Sequence, residues 1–358
     1  MTPGLPQPAK APTIRDVAAR AGVSTATVSN VLNATGRASA RTEEKVLAAI
    51  AALNFRPNGN AASLRNRRSR LIGLMVPSIT NPFFAHMASA LETLAVAKGY
   101  DIVIVTSDEN ASRERERILA LLARQAEGLI IYPSADASIG IGLDARMLPP
   151  SVVMDRGLGI AGFDTVGLDN AAAGHMAARS LADLGHREIA VLIPDIALAS
   201  SRDRALGAER ALREAGGAFV CQVIITGQTI DGARNALEQE LHRDPRISAV
   251  IAATNVATLG AIKAIQGLRL VMPRDISLIG FDDFAWMTAM RPFVSAVAQP
   301  VDRMASSAWD LLMLRMAERA TPTLPAATPQ RLIFQGELRL RESSGRLTQT
   351  AQSIPAAQ

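Results

Sequence analysis

Cysteine is almost absent from this chain: Cys221 is the only one in 358 residues. A single thiol excludes an internal disulfide framework and a cysteine-built zinc site, and it suits a reducing compartment. Aromatic residues make up 4%, so any core must be built from Ala, Val, Leu and Ile, as in many α/β proteins. No apolar run reaches the ~20 residues that span a bilayer. The opening MTPGLPQPAKAPT lacks an apolar h-region and does not read as a secretory signal. A cytoplasmic protein of bacterial type is expected. The four histidines (His86, His175, His186, His242) are scattered without metal-ligand spacing. No Walker loop, nucleophile elbow or HExxH motif occurs. Neither an enzyme nor a cofactor is expected.

Negative charge is scarce at one end. Residues 1–70 hold eleven Lys and Arg against Asp16, Glu43 and Glu44, a surplus of eight, while the whole chain carries +5 and the remainder therefore −3. A basic head on a slightly acidic body suits a head that meets a polyanion. A length of 358 also exceeds what one core usually organises, so more than one domain is expected.

The head reads as three short helices. Thr13 can cap IRDVAARA, with Ile14, Val17, Ala18 and Ala21 on one stripe. Gly22 ends that helix, Val23 fills the turn and Ser24 caps TATVSNVL. In this second helix Val28, Val31 and Leu32 share one face, Ala26 and Asn30 lie opposite, and Thr25 and Ser29 flank them. A third helix, capped by Ser39 or Thr42, is expected to turn Val46, Leu47, Ile50 and Leu53 inward. The Gly-containing turn between the first two helices matches a helix-turn-helix. The second helix is poor helix material. Small hydroxyls at Ser24, Thr25, Thr27 and Ser29, with the Asn30 amide, suit close approach to phosphates and base edges. After it, Pro57 stops the third helix and Asn58 can cap NAASLR, a marginal helix on its own. Leu64 among Arg65, Arg67, Arg68 and Arg70 reads either as a minor-groove wedge between phosphate anchors or as a plain basic linker.

TIRDVAARAGVSTATVSNVLN, FRPN and AASLR resemble the DNA-binding head of the LacI/GalR family of bacterial repressors. The similarity continues through IGLMVPSITNPFFA, GHREIAVL, MPRDISLIGFDD and VAQPVDRMA, over roughly residues 13–342. The resemblance implies that Thr25, Ala26 and Asn30 make the discriminating base contacts and that Leu64 wedges into the minor groove beside its dimer mate. Thr13, Ser24, Thr27, Ser29, Asn33, Asn58, Ala61 and Arg65 complete the expected DNA-contact set. Many relatives carry Arg where this chain has Asn30, and Gly59 and Ala62 stand where Ala and Arg are common. A palindromic double-stranded operator bound by a C2 homodimer is the implied partner.

From Leu71 the pattern changes to short apolar strands alternating with helices, which implies parallel sheets covered on both faces. The set repeats after Asn170, giving two lobes and a cleft. The expected fold is therefore α/β, an all-helical head on a two-lobed body, and the resemblance implies that this body is of the periplasmic-binding-protein kind with parallel sheets. The expected divisions are a helix-turn-helix at 13–56, a hinge at 57–70, one lobe from 71–168 with 299–342 and another from 169–298. The crossing back of the last segment is implied by the resemblance. Residues 1–12 and 343–358 read as disordered tails.

Ligands of open parallel sheets sit beyond the carboxyl ends of strands. Asn81, Phe83, Asp155, Arg156, Arg204, Asn255 and Asp282 lie at such ends or in the segments that follow them, and Trp286 follows closely. Carboxylates, amides and Arg can hold sugar hydroxyls, while Phe83 or Trp286 packs on an apolar face. Each also has a structural use: Asn81 before Pro82 suits a turn, Asp282 a helix cap and Arg204 a solvated helix face. The family resemblance implies effector contacts at Arg204, Asn255 and Asp282, and Val256 stands where an acidic residue is common. A small-molecule effector of sugar type, controlling operator affinity, is the expectation. A solute-binding receptor and an enzyme are the rivals; the basic head opposes the first and the missing catalytic sets the second.

Overall fold

The computed structural model describes residues 12–32, 38–55, 69–134, 143, 147–156, 160–321 and 328–347. The chain divides into two compact units, residues 1–69 and 70–358.

The first unit holds α1 (Ile14–Ala21), α2 (Thr25–Leu32) and α3 (Ala40–Ala52). Gly22 takes the left-handed conformation, φ 66°, that lets α1 stop within one residue. Ser39 rather than Thr42 caps α3, its side chain accepting from the Thr42 N–H. Val17, Ala18, Val28, Val46 and Ala49 form the core of this unit. Leu47 was expected inward but is 53% exposed. It lies about 100° round the helix from Val46, and with Val46 buried at the centre of the contact Leu47 falls outside it.

The second unit is two α/β lobes. In chain order its elements are β1 (Leu71–Val76), α4 (Pro82–Ala97), β2 (Asp101–Thr106), α5 (Ala111–Ala123), β3 (Gly128–Ile131), β4 (Ser151–Met154) and β5 (Asp164–Leu168). The second lobe follows with α6 (Asn170–Asp183), β6 (Glu188–Ile193), α7 (Ala199–Ala215), β7 (Val220–Ile225) and α8 (Ile230–Arg243). It continues through β8 (Ala249–Ala252), α9 (Asn255–Gly267), β9 (Ser277–Phe281) and β10 (Ser295–Ala298). The chain then runs through α10 (Val301–Ala320), β11 (Arg331–Phe334) and β12 (Glu337–Arg339).

One six-stranded sheet has the order β11-β5-β4-β3-β1-β2 and the other β12-β10-β9-β8-β6-β7. All described pairings are parallel except β12 against β10. The apolar strands are buried because helices cover both faces of each sheet. The chain crosses between lobes three times: at 168–170, at 298–301 and at 334–337.

The segment 299–342, assigned as a whole to the first lobe, divides. α10 packs in the first lobe's core and β11 pairs with β5, but β12 joins the second sheet beside β10. The expected tail at 343–358 also begins ordered. Ser343 is fully buried; its hydroxyl donates to the Leu278 carbonyl at 2.7 Å and accepts from the Ser295 N–H at 2.8 Å. Ser hydroxyls that satisfy buried backbone groups anchor this segment, a role that polarity alone concealed. Residues 1–11 and 348–358 lie outside the described residues.

Candidate functional site

In the head, Ser24 accepts from the Thr27 N–H at 3.1 Å, and the two hydroxyls meet at 2.9 Å. Both are thus engaged in capping α2. Thr13 is likewise engaged: its N–H and hydroxyl both donate to Asp16 at 2.7 Å. Thr25 and Ala26 are exposed and Asn30 is half-buried. Ser29, expected on the flank of α2 with its hydroxyl available to DNA, is instead 5% exposed and buried beside Val28. Its angular position at the edge of the apolar stripe brings it under the packing of α2. Asn33, Asn58, Ala61, Leu64 and Arg65 lie outside the described residues.

In the body, a cleft of about 350 Å³ opens at the carboxyl ends of the strands, lined from both lobes. That volume is at the small-ligand end of the usual range. Asp155 follows β4 and Asp282 follows β9, one from each lobe. Both take left-handed φ, 59° and 64°, which costs a non-glycine residue on the order of 1 kcal/mol. Each still donates its N–H to the neighbouring strand, Asp155 to Val166 at 2.7 Å and Asp282 to Val297 at 3.0 Å. The two lobes therefore use the same device to end a strand on a carboxylate.

Arg204, on α7, is 5% exposed. Its guanidinium lies over the Phe281 ring at 4.1 Å, with Nε donating to Asn170 Oδ1 at 2.8 Å and Nη1 to the Ala253 carbonyl at 2.6 Å. Burial lowers its pKa, while the charges of Asp155 and Asp282 act in the opposite direction. Burial raises the Asp282 carboxyl above the usual carboxylate range, and Asp155 adds to this. Arg204, the Gln299 amide and the Asn255 backbone N–H counter it. Arg156 makes a bidentate contact with Glu109, one arm at 2.8 Å. Asn81 caps α4 by accepting from the Phe83 N–H at 3.1 Å, and both residues line the cleft.

Seven of the eight expected effector residues are thus placed in or directly against the cleft. Asn255 stands behind its lining, 2% exposed, and supports Asp282 through its backbone. Trp286 does not line it. The 3₁₀ turn Ala285–Thr288 turns Trp286 onto the apolar cluster beneath the second sheet, where its ring is partly buried. Sequence reasoning missed Asn170, Gln299, Glu109, Ser200, Ser201 and Tyr132. Tyr132 is fully buried, edge-on to Phe84 at 5.1 Å, and burial together with Asp155 raises its pKa. Ser200, Ser201 and Arg204 follow an i, i+1, i+4 spacing, one face of α7, a signal that was available.

A trihelical helix-turn-helix unit and a two-lobed binding body together define a ligand-responsive DNA-binding regulator. Residues 13–58 match the profile of bacterial regulatory proteins of the lacI family. Residues 69–322 match that of periplasmic binding proteins and the sugar-binding domain of the LacI family. The chain belongs to the LacI family and is a transcriptional regulator rather than an enzyme. It is 33% identical over 313 residues to the HTH-type transcriptional repressor PurR of Erwinia tasmaniensis, covering 86% of this chain and 91% of that one. It is 29% identical over 332 residues to the ribose operon repressor of Haemophilus influenzae, covering 92% and 98%. Among solved structures, the lac repressor dimer bound to operator and the anti-inducer ONPF superposes with a TM-score of 0.80 at 25% identity, covering 94% of this chain and 100% of that one. The regulator CelR in complex with cellobiose gives 0.68 at 26%, covering 93% and 99%.

Proposed function

We propose that the chain is a cytoplasmic homodimeric repressor that binds a palindromic operator and is controlled by a neutral sugar or sugar derivative held between its lobes. One observation carries the ligand class: carboxylates outnumber guanidiniums on the cleft lining, with buried Asp155 and Asp282 beside an Arg204 whose Nε and Nη1 are already committed within the protein and an Arg156 already paired with Glu109. Such a site is rich in acceptors and rewards hydroxyl donors, whereas a phosphate or carboxylate on the ligand adds like charge. Relatives point the same way: one bears the name ribose operon repressor and another was solved with cellobiose. Thr25, Ala26 and Asn30 read the major groove, and Leu64 wedges the minor groove, joined by Thr13, Asn33, Asn58, Ala61 and Arg65.

A thermal-shift screen tests the ligand class with neutral sugars (D-ribose and cellobiose among them), sugar acids, sugar phosphates and nucleosides. A true effector at a hundredfold excess over Kd adds about 2.7 kcal/mol and raises Tm by several degrees. Stabilisation by acids or phosphates alone overturns the neutral-sugar reading. Gel shifts against DNA flanking its own gene test the regulator itself: specific binding that responds to the screen's hits is expected.

A further inference from the structure

Each of the three crossovers carries one carboxamide, and each carboxamide is bonded to an aspartate. Asn170, in the first, is 4% exposed. Its Oδ1 accepts from Arg204 Nε of the second lobe at 2.8 Å, and its Nδ2 lies 3.4 Å from Asp155 Oδ1 of the first lobe. Gln299, in the second, donates Nε2 to Asp282 Oδ1 at 2.6 Å and leaves its own buried Oε1 without a partner among the described residues. Gln335, in the third, donates to Asp169 Oδ2 at 3.1 Å, tying that crossover to the first. Asp155, Arg204 and Asp282 are therefore held by segments that must twist when the lobes reorient.

We infer that Asn170 and Gln299 are positioning residues that make the setting of the interlobe crossovers and the geometry of Asp155, Arg204 and Asp282 a single variable. This rests on the reading of those three as effector contacts, but the mechanical claim is independent of which molecule binds. A hydrogen bond between a crossover amide and a buried carboxylate is charge-assisted and orientation-dependent. Rotating the crossover breaks it, and the carboxylate left behind is buried and under-satisfied. A ligand that fixes the carboxylates thus fixes the crossover, and the hinge selects which ligand geometry is accepted.

The test needs no small molecule. In the full chain with Cys221→Ser, spin labels at Lys98→Cys of the first lobe and Lys263→Cys of the second report the interlobe distance distribution. Gln299→Met keeps the length of the side chain and removes the donor; the distribution is expected to broaden at least twofold. Gln299→Glu sets a second carboxylate against Asp282, within the field of Arg204, Arg156 with its partner Glu109, Asp155, Tyr132 and the Asn255 N–H. Two carboxylates in one site share a proton at raised pH. The protonated Glu then donates as the amide did, so Gln299→Glu is broad at pH 8 and narrow again at pH 5, while Gln299→Met stays broad at both. Asn170→Ala is expected to broaden the distribution without acid recovery. If Gln299→Met leaves the distribution narrow, or Gln299→Glu fails to recover where its circular dichroism is native, the side chain only fills space and the inference is overturned. Failure of every sugar in the thermal-shift screen would sink the ligand class and leave this result standing.

Discussion

Asp282 shows how a carboxylate lining the cleft is held at a cost to the fold. Burial raises its carboxyl, so between its ordinary pKa and the raised one the native state binds more protons than the unfolded chain. Stability therefore falls as pH rises through that window and is recovered on acidification. Arg156 on the same cleft is already paired with Glu109, so the two buried carboxylates Asp155 and Asp282 face Arg204, and removing one of them leaves an Arg204–Asp155 pair. Asp282→Asn is expected to raise Tm by a few degrees at pH 7.5 and by less at pH 4.5, while abolishing the Tm gain from any sugar that stabilises the wild type. A differential scanning measurement at the two pH values checks both parts. The cleft position of such residues was legible in sequence, because the carboxyl end of an apolar strand is where open parallel sheets form their clefts, even though Asp282 also suited a helix cap. Asn170 and Gln299 were not, since an amide beside a helix start reads equally well as a cap, and only the fold reveals its partner. Ser29 failed for the opposite reason: a hydroxyl is small enough to be buried wherever packing needs it.

Between elements, the contact that matters most for the cleft is α6 against α7. A Cβ on Gly174 would overlap the Arg204 carbonyl, and one on Gly207 would overlap that of Ala171, so the backbones touch with nothing between them. Gly174 does not line the cleft, yet Gly174→Ala must push α7 outward and carry Arg204 with it. Overpacking of this sort costs about 1–3 kcal/mol. The expected outcome is a lower Tm together with at least about a tenfold loss of affinity, near 1.4 kcal/mol, for a stabilising sugar, measured by calorimetric titration. A second element-level lock joins β5, α10 and the approach to β11: Arg315 donates from Nε and Nη2 to Asp164 at 2.6 and 2.9 Å. Asp164 is 2% exposed, so Arg315→Met leaves a buried carboxylate with the Gln330 N–H at 2.6 Å but without its counter-charge and should cost about 3 kcal/mol in urea unfolding. The alternation of apolar strands and longer helices made most elements readable, because parallel strands buried on two faces are apolar throughout. β12 was not readable, since ELR has no such run and becomes a strand only because β10 offers it an edge.

On the scale of the whole molecule, eight surplus positive charges lie within the first 70 residues. If they meet phosphates, counterion release makes operator binding steeply salt-dependent: a loss on the order of 10³ or more is expected between 50 and 200 mM salt. Fluorescence anisotropy on a specific and a scrambled duplex checks this, and both should fall together. Leu64→Ala should instead weaken the specific duplex alone, because a wedge reads deformability and not charge. Equal losses on both duplexes would remove Leu64 from that role.

The three passages of the chain between lobes have a topological consequence. Neither lobe is a contiguous stretch of sequence, and no single cut separates them: whichever passage a protease severs, the two others still join the halves. A nicked molecule should run as two fragments when denatured and as one particle when native. The lobes are thus free to turn against each other while remaining inseparable as objects.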